Sequence, residues 1–373
     1  MGKNSYFFPS LLTTSNFPIG DLFTLQKEKK KYSTIIYNKY GGGFRSLKKI
    51  FLLIMVFFLI GLLLLGTIQA SVQQIPSPPP TPPTQPSEGP GGSNYTHAGV
   101  RQTKYGWGAR EFWIFEPTTP TPETAPLIIF NHGWSAFKPL YYQAWIDHLV
   151  KRGNIVVYPR YQAGLVIGLR FATPNAITAI KRAIHILETG DHVRPDLEKC
   201  AIVGHSLGGG ITAEMAVYAA EQGLPVPKAI MPVQPFLRFD TMLSNFQGIP
   251  ASTLILVIVG EDDFIALNNS GKKIFTTSTQ VPLDHKDFVI QRTDRYGSPP
   301  LKADHGAPLC IPGTTTVDAM DYYSTWKLFD ALTDYAFYGT NQDYCLGNTP
   351  EQRSMGLWSD GTPVKELLVT DTP

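Results

Sequence analysis

Cysteine is scarce in this chain: three residues in 373, at Cys200, Cys310 and Cys345. No two of them have the close spacing of a zinc-ligand pair, and three thiols form one disulfide at most. The Gly-x-Gly-x-x-Gly fingerprint of dinucleotide binding is missing as well. No metal and no cofactor is therefore expected. Charge is also sparse, with 17% charged residues and a net charge of +2. That balance excludes a nucleic-acid partner or a strongly acidic one, and the lysines that exist crowd toward one end, so the bulk of the chain is not basic. No internal repeat is present.

One long hydrophobic run stands out. Ile50 to Ile68 is uncharged and about 19 residues long, enough to span a bilayer. Before it, residues 1–49 form a basic head with nine Lys or Arg against only Asp21 and Glu28. The positive-inside rule keeps such a head cytoplasmic and puts everything after the run on the far side. The expectation is a single-pass anchor at 50–68 with an extracytoplasmic domain, or a secreted protein if the segment is a signal cleaved after Ala70. Residues 71–93 follow as a Pro/Gly-rich linker, with Ile75-Pro76-Ser77-Pro78-Pro79-Pro80 giving way to Gly89-Pro90-Gly91-Gly92. Its prolines favour an extended spacer that buries no core.

Residues 94–373, about 280 in all, suffice for one sizeable domain. Strand-like runs at 111–115, 127–130, 154–158, 200–203, 229–233, 253–259 and 288–291 alternate with helical stretches at 141–152, 174–188, 211–221 and 317–337. That alternation indicates an α/β fold with a mostly parallel central sheet, covered by helices on both faces. Between the strands ending near Val233 and starting at Thr253 lie only about 19 residues, too few for a large cap domain.

The most informative segment is Ala201-Ile202-Val203-Gly204-His205-Ser206-Leu207-Gly208, an apolar strand end running into Gly-x-Ser-x-Gly and then a helix. A serine held exposed on a strand-to-helix turn needs strained backbone angles and small neighbours, which the flanking glycines supply. Such a serine needs a base, and the base needs a carboxylate to set its tautomer. The strand Ser252 to Val259 ends at Gly260-Glu261-Asp262-Asp263, where Asp263 is preferred over Asp262 for its distance past the strand-ending glycine. Of the histidines that come later, His285 precedes the last strand and so lies at its wrong end. His305, in the loop Lys302 to Pro308, lies at the right one. Ser206, Asp263 and His305 are thus the expected catalytic residues.

Backbone donors for an oxyanion are expected at the Leu207 amide and at the Trp134 amide, in the loop Asn131-His132-Gly133-Trp134 after an early strand. His132 precedes the serine and reads as a satisfied loop histidine. Trp134, Tyr141, Tyr142 and Phe236 are candidates for lining the substrate site, with plain packing the alternative for the tyrosines and Trp134. In an exported domain, with Cys200 opening a central strand, Cys310 and Cys345 are expected to form a disulfide.

The segments Phe130 to Trp134, Gly204 to Gly209, Glu261 to Ala266 and Asp304 to Gly306 resemble the α/β-hydrolase branch of cutinase-like polyesterases, dienelactone hydrolases and chlorophyllases, over roughly Ala109 to Tyr338. The resemblance implies an α/β-hydrolase fold and carboxylic ester hydrolysis through an acyl-enzyme, with the residues just named as triad and oxyanion hole. The chain departs from the cutinase-like pattern at Val233-Gln234-Pro235-Phe236, where those enzymes often carry a tryptophan, and from the dienelactone pattern by having serine in the elbow. The expected partner is a small or polymeric ester. A peptidase or amidase uses the same triad, and a non-catalytic adhesion or scaffold protein is the reading outside enzymes.

Overall fold

The computed structural model describes residues 78–165, 169–237, 243, 245–311 and 315–373. The basic head 1–49 and the apolar segment 50–68 lie outside the described residues. Among the described residues no helix is long and apolar enough to cross a membrane.

Nine strands form one sheet in the order β1-β2-β4-β3-β5-β6-β7-β8-β9. They are β1 Gly99–Tyr105, β2 Phe112–Thr118, β3 Thr124–Asn131, β4 Ile155–Pro159, β5 Arg194–His205, β6 Ala229–Val233, β7 Leu254–Gly260, β8 Lys286–Gln291 and β9 Leu368–Thr370. The run from β4 through β3, β5, β6 and β7 to β8 is parallel, and β1, β2 and β9 pair antiparallel at the two sides. The inner strands carry buried apolar runs, such as Cys200 to Val203 of β5 and Leu254 to Val259 of β7, because both of their faces are covered there. Ile128 and Phe130 of β3 join one core layer while Leu127 and Ile129 join the other, and Leu256 and Ile258 of β7 alternate likewise with Val257 and Val259. On the first face pack α1 (Gln143–Lys151) and α5 (Lys327–Tyr338), through Trp145, Leu149, Phe329 and Leu332. On the second pack α2 (Ala172–Thr189), α3 (Leu207–Tyr218) and α4 (Asn269–Thr277), through Ile177, Ile180, Ile211, Met215 and Phe275.

The strand expected at 111–115 extends to Thr118, and the helix expected over 317–337 begins as a widened turn, Asp321–Trp326, before α5. Two strands are additions. β1 is a side strand of mostly half-buried, polar residues, and β9 has three residues, so neither carries a strong apolar pattern.

Residues 78–93 are not a free spacer. The Pro80 and Thr81 carbonyls accept the amides of Ser298 and Ser359 at 2.8 and 3.0 Å, and the buried Gly91 amide donates to Asp330 Oδ2 at 2.7 Å. A β-carbon on Gly91 would run into the carbonyl of Tyr322. Composition rightly denies this stretch a core of its own, but its carbonyls and side-chain-free glycines let it lie against the core of the domain.

The expected disulfide is absent: all three cysteines are free thiols. Cys310 Sγ accepts the Ala144 amide at 3.2 Å beside α1, whereas Cys345 is buried past the end of α5, its thiol directed at the Gln342 carbonyl at 3.3 Å. Sequence position near the carboxyl end brought the two together on paper; the fold sends their side chains to different neighbours.

Candidate active site

The site is built at the carboxyl ends of β3, β5, β6, β7 and β8. At the end of β5 the chain turns through Ser206, whose φ of 56° and ψ of −122° lie where side chains are rarely tolerated. The turn is held by Ser206 N–H donating to the Val233 carbonyl at 2.9 Å and by the Gly209 and Gly210 amides donating to the Ser206 carbonyl. It also requires the glycines. A β-carbon on Gly204 would strike the Gly208 carbonyl, and one on Gly208 would strike the carbonyls of Asn131 and His132. Hence α3 starts at Leu207, four residues before the helix expected from Ile211.

The three residues singled out in the sequence meet here. His305 Nδ1–H donates to Asp263 Oδ2 at 2.9 Å, and Ser206 Oγ–H lies 2.9 Å from His305 Nε2 with the geometry to donate to it. The other carboxylate oxygen of Asp263 accepts the amides of Ile265 and Ala266, each at 2.9 Å, which fixes the plane of the carboxylate. Asp262 turns the other way, toward Thr293 Oγ1 and Arg295, and His285 sits before β8, away from the carboxyl ends.

On the β3 loop the amides on either side of Trp134 are occupied. Gly133 N–H donates to Tyr142 Oη at 2.9 Å and Ser135 N–H to Gln162 Oε1 at 3.0 Å, whereas the Trp134 amide meets no acceptor among the described residues. The Leu207 amide opens α3 and so has no intrahelical partner. These two N–H groups, one from each loop, are available to a ligand oxygen.

The four aromatic residues proposed as substrate walls differ. Trp134 is 41% exposed and braced by its indole N–H on the Leu165 carbonyl at 2.6 Å. Tyr141 is half-buried against the first core layer, and Phe236 is half-buried with its amide on the Ser206 carbonyl at 2.8 Å. Tyr142 is a correction. It is fully buried, so it presents no surface to a substrate, and its hydroxyl serves Gly133 and His205 instead.

His132 is a buried ring stacked on Tyr161, 4.1 Å between centroids, with its nitrogens on the Gly133 and Arg160 carbonyls. Burial pushes its pKa down to about 4. The roles of the polar residues around the triad are not visible in the sequence: His205 occupies an unconstrained position of the serine motif, Gln234 and Gln162 stand in loops, and only the three-dimensional arrangement brings them together.

The sheet order, the short β6-to-β7 connection and the strained serine turn define an α/β-hydrolase. Residues 93–242, which carry the Trp134 loop and the serine turn, match the chlorophyllase family model, and that match points to a carboxylic ester hydrolase. No curated protein matches the chain.

Proposed function

We propose that this protein is a serine carboxylesterase. The carrying observation is the unbroken line from Asp263 through His305 to Ser206, at 2.9 Å for each contact, beside two unspent amides. Ser206 Oγ attacks the ester carbonyl while His305 Nε2 takes its proton. Asp263 holds the ring and stabilises the imidazolium. The Trp134 and Leu207 amides stabilise the tetrahedral oxyanion. His305 then protonates the leaving alcohol, and a water activated by the same ring cleaves the acyl-enzyme.

The catalytic domain is proposed to work outside the cytoplasm, tethered by residues 50–68 or released after Ala70; the basic head supports this orientation. The test is labelling with a fluorophosphonate probe, followed by peptide mapping. The adduct is expected on Ser206, and Ser206→Ala is expected to be unlabelled and to hydrolyse a panel of short-chain esters slower by several orders of magnitude. Labelling elsewhere, or full activity in Ser206→Ala, refutes the assignment. Amide turnover without ester turnover would favour the peptidase reading.

A further inference from the structure

Three buried polar side chains lie in line behind the triad. Tyr142 Oη accepts the Gly133 amide at 2.9 Å and contacts His205 Nδ1 at 2.8 Å. His205 Nε2 contacts Gln234 Oε1 at 3.1 Å, and Gln234 Nε2–H donates at 2.7 Å to the carbonyl of Asp304, the residue before His305. All three side chains are at most 2% exposed, and none of their polar atoms lacks a partner. The line therefore runs from the loop carrying Trp134, through the serine turn, to the loop carrying His305.

The direction of each hydrogen bond follows from the two ends. The Asp304 carbonyl only accepts, so the amide nitrogen of Gln234 faces it and Gln234 Oε1 faces His205. His205 Nε2 must then carry the proton, and the neutral ring leaves Nδ1 as an acceptor for Tyr142 Oη–H. At the far end the Gly133 N–H only donates, and the Tyr142 oxygen accepts it. Burial, with the neighbouring His305 ring acting the same way, holds the His205 pKa well below the usual histidine range.

The backbone is shaped around this line. Gln234 stands at φ 44°, in the left-handed region, which aims its side chain back across the end of β6. A β-carbon on Gly260 would come within 2.7 Å of Gln234 Nε2, and one on Gly133 within 3.0 Å of Tyr142 Oη and 3.3 Å of His205 Nδ1. Gly133 clears space for the relay, and Gly260 clears it for the Ala303 carbonyl and for Gln234.

We propose that Tyr142, His205 and Gln234 form one positioning relay that keeps the oxyanion loop and the histidine loop in register with Ser206. The inference rests on the acyl-transfer reading above. Tyr142 and Gln234 act through the loops they hold, and His205 links them while its ring packs against that of His305, 4.6 Å between centroids. By engaging the Gly133 amide, the relay leaves the Trp134 amide as the loop's free donor. By holding the Asp304 carbonyl, it sets where His305 begins.

The test uses Tyr142→Phe, Gln234→Met and the double variant, all in the full chain, with a short-chain ester. Each single variant should lower kcat by about ten- to a hundredfold while KM stays within about twofold. The double variant should lose about as much as the worse single one, because breaking a single relay twice adds little. Gln234→Glu is the conservative rescue: its protonated carboxyl accepts from His205 and donates to the Asp304 carbonyl as the amide does. Its deficit relative to the wild type should therefore shrink as pH falls. Nitrogen-15 spectra of histidine-labelled protein should show His205 as the Nε2–H tautomer, also in inactive Ser206→Ala.

Losses that multiply in the double variant, a Gln234→Glu deficit independent of pH, or an Nδ1–H tautomer would overturn the relay. Wild-type rates in both single variants, with Ser206→Ala inert, would overturn it alone. Activity surviving in Ser206→Ala would overturn the acyl-transfer reading and the relay with it. If Tyr142→Phe does not fold, the pH response of Gln234→Glu and the tautomer decide.

Discussion

At Asp262 and Asp263 two neighbouring carboxylates face opposite ways, and the fold gives them different work. Asp263 has one oxygen on two amides and the other on His305, whereas Asp262 is held by Thr293 and Arg295. Asp263→Asn is accordingly expected to cut kcat by several orders of magnitude, because the imidazole loses the acceptor that sets its tautomer. Asp262→Asn should stay within a few-fold of the wild type, and His305→Ala should abolish turnover where His285→Ala does not. Steady-state kinetics on the four variants decides, and an inactive Asp262→Asn beside an active Asp263→Asn would reverse the assignment. His132 makes a separate prediction about pH. Its folded pKa, about 4, lies below the ordinary 6.5, so between those values the unfolded chain binds the additional proton. The stability it contributes is complete above pH 6.5 and is lost as pH falls toward 4, a drop of up to about 3 kcal/mol. His205, also buried and neutral, acts with the same sign. Denaturant unfolding from pH 4 to 7 should show this slope, and His132→Phe, which keeps a ring against Tyr161, should flatten it.

The secondary-structure elements show where local sequence and global packing disagree. The buried inner strands were legible because two covered faces demand unbroken apolar runs, and the triad was legible because its members follow strand ends in a fixed order. The first turn of α3 was not: Gly208-Gly209-Gly210 is a poor helix former, and only the close approach of that helix to the Asn131 and His132 carbonyls explains its being helical. Gly208→Ala separates the two effects. Propensity alone would add about 1 kcal/mol of stability. The clash of the new methyl with two fixed carbonyls should outweigh that and cost about 3 kcal/mol. A melting temperature at or above the wild-type value would mean that the helix yields. The relay residues were illegible for another reason. Tyr142, His205 and Gln234 come from three separate elements and share no spacing, so their relation exists only after the sheet has formed. The cysteines misled in the reverse direction, since setting Cys200 aside in a buried strand left Cys310 and Cys345 as a pair that the fold does not join. A Cys310–Cys345 bridge would contribute roughly 4 kcal/mol on the chain-entropy estimate, so a melting temperature unmoved by reductant is expected. A fall of several degrees on reduction would restore the disulfide.

At the scale of the whole molecule, the domain begins earlier than composition suggests and the β6-to-β7 connection leaves no length for a cap. Residues 78–93 add hydrogen bonds to the segments around Ser298 and Ser359 and place the Gly91 amide on Asp330, which also binds His148 at 2.8 Å and Arg152 at 3.2 Å. A chain starting at Asn94 would leave that buried carboxylate short of a donor and uncover the surface beneath the prolines. It should melt roughly 5 °C or more below one starting at Ser77, and equal melting temperatures would show the segment to be dispensable. The lack of length for a cap follows from topology. From Val233 to Leu254 the chain has about 20 residues to return to the sheet, and Phe246 and Ile249 within them are buried in the second core layer. A connection so committed to the core has no length left for a helical subdomain over Ser206. With no cap built from this connection, no interfacial opening step is expected. The rate on a short-chain ester should follow ordinary saturation through its solubility limit, and bulky or polymeric alcohol portions should be accepted. Emulsified long-chain triglyceride should not be preferred. The measurement is initial rate against ester concentration across that limit, with the emulsion in parallel. A sharp rise above it, accompanied by preference for the triglyceride, would require a moving cover that the short β6-to-β7 connection does not provide.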